Sequence, residues 1–123
     1  MMSEPKIPKI LNLEKCPWYV AREKVAWKCF HGENMTIQYA KVDPGHSINP
    51  HRHDYEQIAM IIEGECDFVI DGIAYPMSAG SIIDIPAMSE HYIIAKGDKS
   101  VIDLDIFYPR RDERKESVEV TNS

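Results

Sequence analysis

Turn signals recur along this chain at short, regular intervals, and that rhythm constrains the fold more than any other feature. They fall at His31-Gly32, Asp43-Pro44-Gly45, Glu63-Gly64, Asp71-Gly72, Ala79-Gly80 and Lys96-Gly97-Asp98, where Gly, Pro and Asp supply the backbone angles of tight turns. The runs between them, residues 24–30, 35–42, 57–62, 66–70, 81–85, 91–96 and 101–108, are rich in Val, Ile, Phe and Tyr, whose branched or planar side chains suit a pleated sheet. Seven or eight strands are expected in an all-β fold. No segment sustains an apolar period of about 3.6 residues, so helix is confined to a turn near residues 11–14 or in the tail. Strands this short and numerous hide their edges by closing into a barrel or a double-sheet sandwich, whose mouth suits a small ligand.

A length of 123 residues supplies one hydrophobic core and hence one expected domain, residues 1–123. Acidic residues outnumber basic ones 20 to 14, which argues against a nucleic-acid partner, since phosphate binding draws on clustered Lys and Arg. Cys16, Cys29 and Cys66 are odd in number and scattered, so they support neither a disulfide framework nor a CxxC metal clip and read as reduced thiols. The longest apolar run, residues 58–62, is far too short to span a bilayer, and "MMSEPKIPKI" has no apolar leader region. A soluble, cytoplasmic protein without a membrane partner is expected. "SEPKIPKI" and "RRDERKESVEVTNS" lack an apolar face, so residues 1–15 and 112–123 are expected as an N-terminal arm and a charged C-terminal tail around a barrel of residues 24–108.

The stretch "NPHRHDYEQIAMIIEGE" carries the candidate chemistry. His51, His53 and Gln57 share one parity and face a single interior if the backbone stays extended between them. His91 reaches the same interior if its strand lies alongside. The alternative is that these histidines are solvated or hydrogen-bonded loop residues, and spacing alone leaves both readings open. In the last strand, "VIDLDIFYPRR", Val101, Asp103, Asp105 and Phe107 share one face and Ile102, Leu104 and Ile106 the other. Alternation by itself favours a buried aliphatic face with both aspartates in solvent. If the acidic face lines the barrel instead, Asp105 becomes a proton acceptor beside a cation, and Arg111 can grip a substrate carboxylate through its planar fork. The plain reading of Arg110 and Arg111 is a solvated charge run.

A longer pattern surrounds the histidines. Gly45, five residues, His51-x-His53, three residues, Gln57, six residues and Gly64 resemble the first motif of the cupin superfamily. Gly80, five residues, Pro86 and then His91 five positions on are similar to the second motif, with 15 residues between the two. This chain departs from the superfamily at Met88, where Gly is usual, at Ala95, where Asn is usual, and at Gln57, which stands in place of a Glu ligand. The resemblance implies a cupin jelly-roll β-barrel (a double-stranded β-helix) holding one divalent transition metal, Ni, Zn, Fe or Mn. Four neutral ligands would leave the full charge on the metal and make it a stronger Lewis acid.

"HRHDYEQI" and "DIFYPRRDE" further resemble the small single-domain cupins that linearise unsaturated uronates in pectin degradation. Carried over by position, that resemblance implies His51, His53, Gln57 and His91 as metal ligands. It implies Asp105 and Arg111 as catalytic groups, Phe107 as a pocket wall, and a small sugar acid as substrate of an isomerase- or lyase-type enzyme. A cupin dioxygenase or cyclase, or a non-catalytic binder of a small acid or sugar, are the rival expectations. Related cupins often dimerise through N-terminal strands, so a homodimer is expected, with Trp18, Tyr19 and Trp27 either in its interface or in the monomer core.

Overall fold

The computed structural model describes residues 7–120, so residues 1–6 and 121–123 of the expected arms lie outside the described residues. Its regular structure is β apart from one 3-10 turn, Leu13–Lys15, at the place where a helical turn was expected. The strands are β1 (Tyr19–Arg22), β2 (Val25–His31), β3 (Thr36–Val42), β4 (Gln57–Glu63), β5 (Glu65–Ile70), β6 (Ile73–Ser78), β7 (Ile82–Ile85), β8 (His91–Lys96) and β9 (Val101–Phe107). They form two antiparallel sheets, six strands in the order β1-β2-β3-β9-β4-β7 and three in the order β6-β5-β8. Two of these strands go beyond the seven apolar runs. β6 carries Pro76, which is tolerated because β6 lies at the edge of its sheet. β1 is a four-residue edge strand, too short for alternation to reveal it.

Strict two-residue alternation builds the interior. On β3 the buried positions are Thr36, Gln38, Ala40 and Val42, and on β4 they are Gln57, Ala59 and Ile61. The in-register rows Val42↔Val101, Ala40↔Asp103 and Gln38↔Asp105 then fix which side chains share each level. At the Val101 end, Val25, Val42 and Ile61 meet Cys66, Phe68 and Met77 from the smaller sheet in one apolar cluster. Burial of such side chains contributes roughly 25 cal/mol per Å² and carries the stability of a fold with little helix. Gly64 is required here: its φ is +86°, and an added Cβ would meet the Ser100 carbonyl oxygen at 2.7 Å. All three cysteines are free and buried, and burial pushes the Cys66 thiol to about 12 and the Cys29 thiol to about 11.

The C-terminal segment differs from the expected tail. β1 pairs only with the Val25–Trp27 half of β2, and the segment after β9 covers the other half. The Cys29 N–H donates to Ser117 Oγ at 2.9 Å, the Ser117 N–H to the Cys29 carbonyl at 2.9 Å, and the His31 N–H to Glu116 at 2.7 Å. An exposed strand edge is a row of unpaired donors and acceptors, and here the chain's own end satisfies it. The aromatics of the N-terminal region divide: Trp18 stacks on Tyr39, and Tyr19 stacks on Trp27 while staying exposed. No helix among the described residues is long and apolar enough to cross a membrane.

Candidate metal centre

One cavity of about 530 Å³ reaches down to Val25, Val42 and Phe68 of the apolar cluster and is lined by all seven side chains singled out in the sequence: His51, His53, Gln57, His91, Asp105, Phe107 and Arg111. Their convergence does not arise from one extended strand. The chain bends at Asp54 and Tyr55 between the histidine pair and β4. His51 instead forms an antiparallel bridge with His91, its N–H donating to the His91 carbonyl at 3.2 Å and its carbonyl accepting from the His91 N–H at 2.8 Å. Gln57 therefore comes from the larger sheet and His91 from the smaller one, and the His51 bridge joins them. The Met88 N–H donates to the His53 carbonyl at 2.7 Å from a left-handed backbone, φ +68°, a conformation that explains why Gly is usual there.

Candidate ligand atoms of His51, His53 and His91 lie within 4.8 Å of one another. Backbone carbonyls settle which nitrogen each ring presents. Nδ1 of His51 contacts the Asn49 carbonyl at 2.7 Å, that of His53 the Tyr55 carbonyl at 2.7 Å, and that of His91 the Ser89 carbonyl at 2.9 Å. A carbonyl only accepts, so Nδ1 carries the hydrogen and a neutral ring offers its Nε2 lone pair, the arrangement typical of metal-binding histidines. His91 Nε2 is buried with no hydrogen-bond partner. Burial lowers the pKa of both His51 and His91, His91 to about 4, which keeps both rings neutral and able to coordinate.

Gln57 completes the cluster. Its Nε2 donates to Asp105 Oδ1 at 2.9 Å, which leaves Oε1 facing His53 Nε2 at 3.1 Å. With neutral His53 both facing atoms bear lone pairs, an arrangement that a cation between them satisfies. The orphaned His91 nitrogen and this contact fit a divalent metal, and His51, His53 and His91 could hold one.

Asp103 and Asp105 are both interior, contrary to the solvent-facing placement that alternation by itself favoured. They are 4% and 3% exposed, because the face they share with Val101 and Phe107 lines the barrel. Burial raises the pKa of each, and a hydrogen bond joins them. Two carboxyl groups this close and dry each disfavour the other's ionisation, and Asp103 is raised the more strongly. Hydrogen bonds from Gln57 and Gln38, the latter at 3.3 Å, favour the ionised form at Asp105.

Arg111 is not a solvated charge. Its side chain is 17% exposed, its guanidinium carbon lies 4.7 Å from the centre of the Phe107 ring, and Nε donates to Glu113 at 2.6 Å. Phe107 stands edge-on to His53 at 6.3 Å, while Tyr55 stacks on His53 at 4.1 Å, so the histidines have an aromatic wall. Several cavity residues escaped the sequence reading, Arg22, Gln38 and Arg114, as did Tyr55, whose ring backs His53 and Phe107. Gln38 was legible as the inward partner of Ala40 and Val42. Arg114 carried no local signal, since its place depends on how the C-terminal segment docks.

The cupin domain family matches residues 38–107, a span that holds the three histidines, Gln57 and both aspartates. The chain belongs to the cupin family. Among solved structures, this cupin is similar to KdgF from Halomonas sp., with a TM-score of 0.77 and 21% identity over 87% of this chain and 98% of that one. It is equally similar in fold to an RmlC-like cupin from Shewanella frigidimarina, with a TM-score of 0.77 and 18% identity over 87% and 96% of the two chains. A curated relative, the dimethylsulfoniopropionate lyase DddW of Ruegeria pomeroyi, is 34% identical over 62 residues, which are 50% of this chain and 41% of the lyase. The match thus spans about two fifths of that relative's length.

Proposed function

We propose that the chain is a metal-dependent enzyme that opens and tautomerises an unsaturated uronate, or a similar sugar acid, to its linear keto form. The observation that carries this reading is the Gln57 amide, held between Asp105 on one side and the histidine cluster on the other. This arrangement joins a neutral metal site to a carboxyl pair able to move a proton. The resemblance of "HRHDYEQI" and "DIFYPRRDE" to uronate-linearising cupins supports it.

A divalent metal held by His51, His53, His91 and Gln57 would supply Lewis-acid polarisation of a sugar oxygen. The protein does the rest. Arg111 engages the substrate carboxylate, and Phe107, backed by Tyr55, packs against the ring and excludes water. Opening the ring breaks the bond between the anomeric carbon and the ring oxygen as the anomeric hydroxyl loses its proton. The released enolate becomes a ketone when the former alkene carbon C4 gains one. Asp105 accepts the first proton and delivers the second, with Asp103 buffering the charge between the two events.

Mixing metal-loaded protein with unsaturated monouronate generated by a lyase should accelerate loss of the ring-alkene ultraviolet absorbance, and a chelator should abolish the acceleration. No acceleration over buffer would sink the proposal. The likeness to the DddW lyase favours a second reading, an elimination in which Asp105 removes a proton beside a carboxylate. Release of acrylate from dimethylsulfoniopropionate, without uronate turnover, would select it.

A further inference from the structure

Four of the chain's five arginines, Arg22, Arg52, Arg111 and Arg114, line the histidine cavity, and none of its described lysines does. In a chain of net charge -6 this is a strong local inversion, and it uses the side chain whose planar fork suits carboxylate and phosphate oxygens. Two of the four are ion-paired, Arg52 with Glu90 and Arg111 with Glu113 through Nε alone. Arg22 and Arg114 form no ion pair among the described residues. The Nε atoms of both are buried and lack a hydrogen-bond partner. Arg22 donates through Nη2 to the Ser47 carbonyl at 3.1 Å, which anchors it and leaves Nε unused. The guanidinium carbon of Arg114 lies over the Trp27 ring, 4.0 Å from its centre, and its Nε is left for another group. Burial and the neighbouring Arg111 charge both disfavour its protonated form, a tension that an anion would relieve.

These two arginines belong to the β1–β2 side of the cavity, Arg22 on β1 and Arg114 packed over Trp27 of β2. Trp27 is on β2 and Gln57 on β4, with β3 and β9 between them. That is roughly 14 Å around the curved wall at about 4.8 Å per strand step. We propose that Arg22 and Arg114 form a second anion subsite on the β1–β2 side of the cavity, so that the cognate acid carries a further carboxylate or phosphate there. This rests on the proposed reading that the first acid group lies near the histidines and Arg111.

Gluconate, glucarate and 6-phosphogluconate share one carbon skeleton and differ at C6, which bears a hydroxyl, a carboxylate or a phosphate. Titration calorimetry on the metal-loaded protein should show glucarate, 6-phosphogluconate or both binding about tenfold or more tighter than gluconate, the worth of one charge-assisted pair. Which of the two gains most identifies the anion. For glucarate, a factor of about two arises merely from its two acid ends and does not count. In Arg114→Gln and in Arg22→Gln that ratio should fall about tenfold, and Arg114→Lys should restore part of it. Ratios within one variant cancel a general loss of affinity, and Arg22→Gln carries the test if Arg114→Gln fails to fold. A wild-type advantage of twofold or less, or an unchanged ratio in the variants, overturns the subsite. Turnover of unsaturated monouronate without the ratio removes this inference alone, whereas the ratio without turnover removes the proposed reaction and leaves the subsite.

Discussion

Val101 and Asp105 lie on one face of one strand, and both are almost wholly buried, yet their surroundings are opposite. Val101 is surrounded by Val25, Val42 and Ile61 in the apolar cluster. Asp105, four residues on, is held by Gln57, Gln38 and Asp103. The same change runs along β3, from Val42 to Gln38, and along β4, from Ile61 to Gln57. The barrel is therefore one interior with two ends: a closed, apolar end that stabilises the fold, and an open, polar end whose buried groups are hydrogen-bonded except at His91 Nε2 and Asp103 Oδ1. A carboxyl pair costs free energy wherever it is dry. On the proposed reading the pair at the open end moves protons, and the packing at the other end offsets its cost.

That contrast can be broken from either side. The largest effect is expected from Asp105→Ala, which should lower turnover about 10²- to 10⁴-fold, the range of general acid–base catalysis, while the protein still binds metal in elemental analysis. A pure binding protein would lose little ligand affinity in the same variant. At the closed end, Ile61→Ala should cost about 2–5 kcal/mol in denaturant melts, as core truncations do, and leave metal content unchanged. A loss of metal in that variant would mean that the two ends are not separable.

Asp103→Asn sharpens the comparison through pH. Burial and Asp105 raise the folded-state pKa of Asp103 above its ordinary value. The folded protein therefore holds this proton over a range in which the unfolded chain has lost it, and stability falls as pH rises through that range. Removing the ionisation should leave metal-free protein about 1 kcal/mol more stable at neutral pH, with the gain shrinking as pH falls toward the ordinary carboxylate range near 4. Melting temperatures across pH 4 to 8 that stay parallel for the two proteins would contradict this. The smallest change should come from Met88→Gly, which relieves a left-handed backbone beside His53 and should stabilise by about 0.5–1 kcal/mol. A melting temperature at or below that of the parent protein would show that the strain is offset by the Met88 side chain.

Much of this was legible in the sequence, for reasons that differ by residue. Turn residues and β-branched runs act locally, so the strand rhythm and the polar stripe of β9 appear in the residue order itself. The glycine, histidine and proline spacings carried the cupin resemblance because each corresponds to a fixed local conformation, such as the left-handed Gly64. β1 and β6 were missed because edge strands need no clean alternation, and Pro76 removes the usual signal.

The residue order by itself determined that the chain is all-β, that His51, His53, Gln57 and His91 are its candidate ligands, and that Asp103 and Asp105 share a face. Only the tertiary structure decided that this face is interior, that Gln57 of one sheet and His91 of the other share a cavity with His51 bridged to His91, and that Arg114 turns back over Trp27 into the cavity. Side-chain alternation states which residues lie together on a strand and is silent about which side the barrel closes on. That choice is made by long-range pairing and by packing of the whole apolar cluster, to which no short stretch of sequence refers.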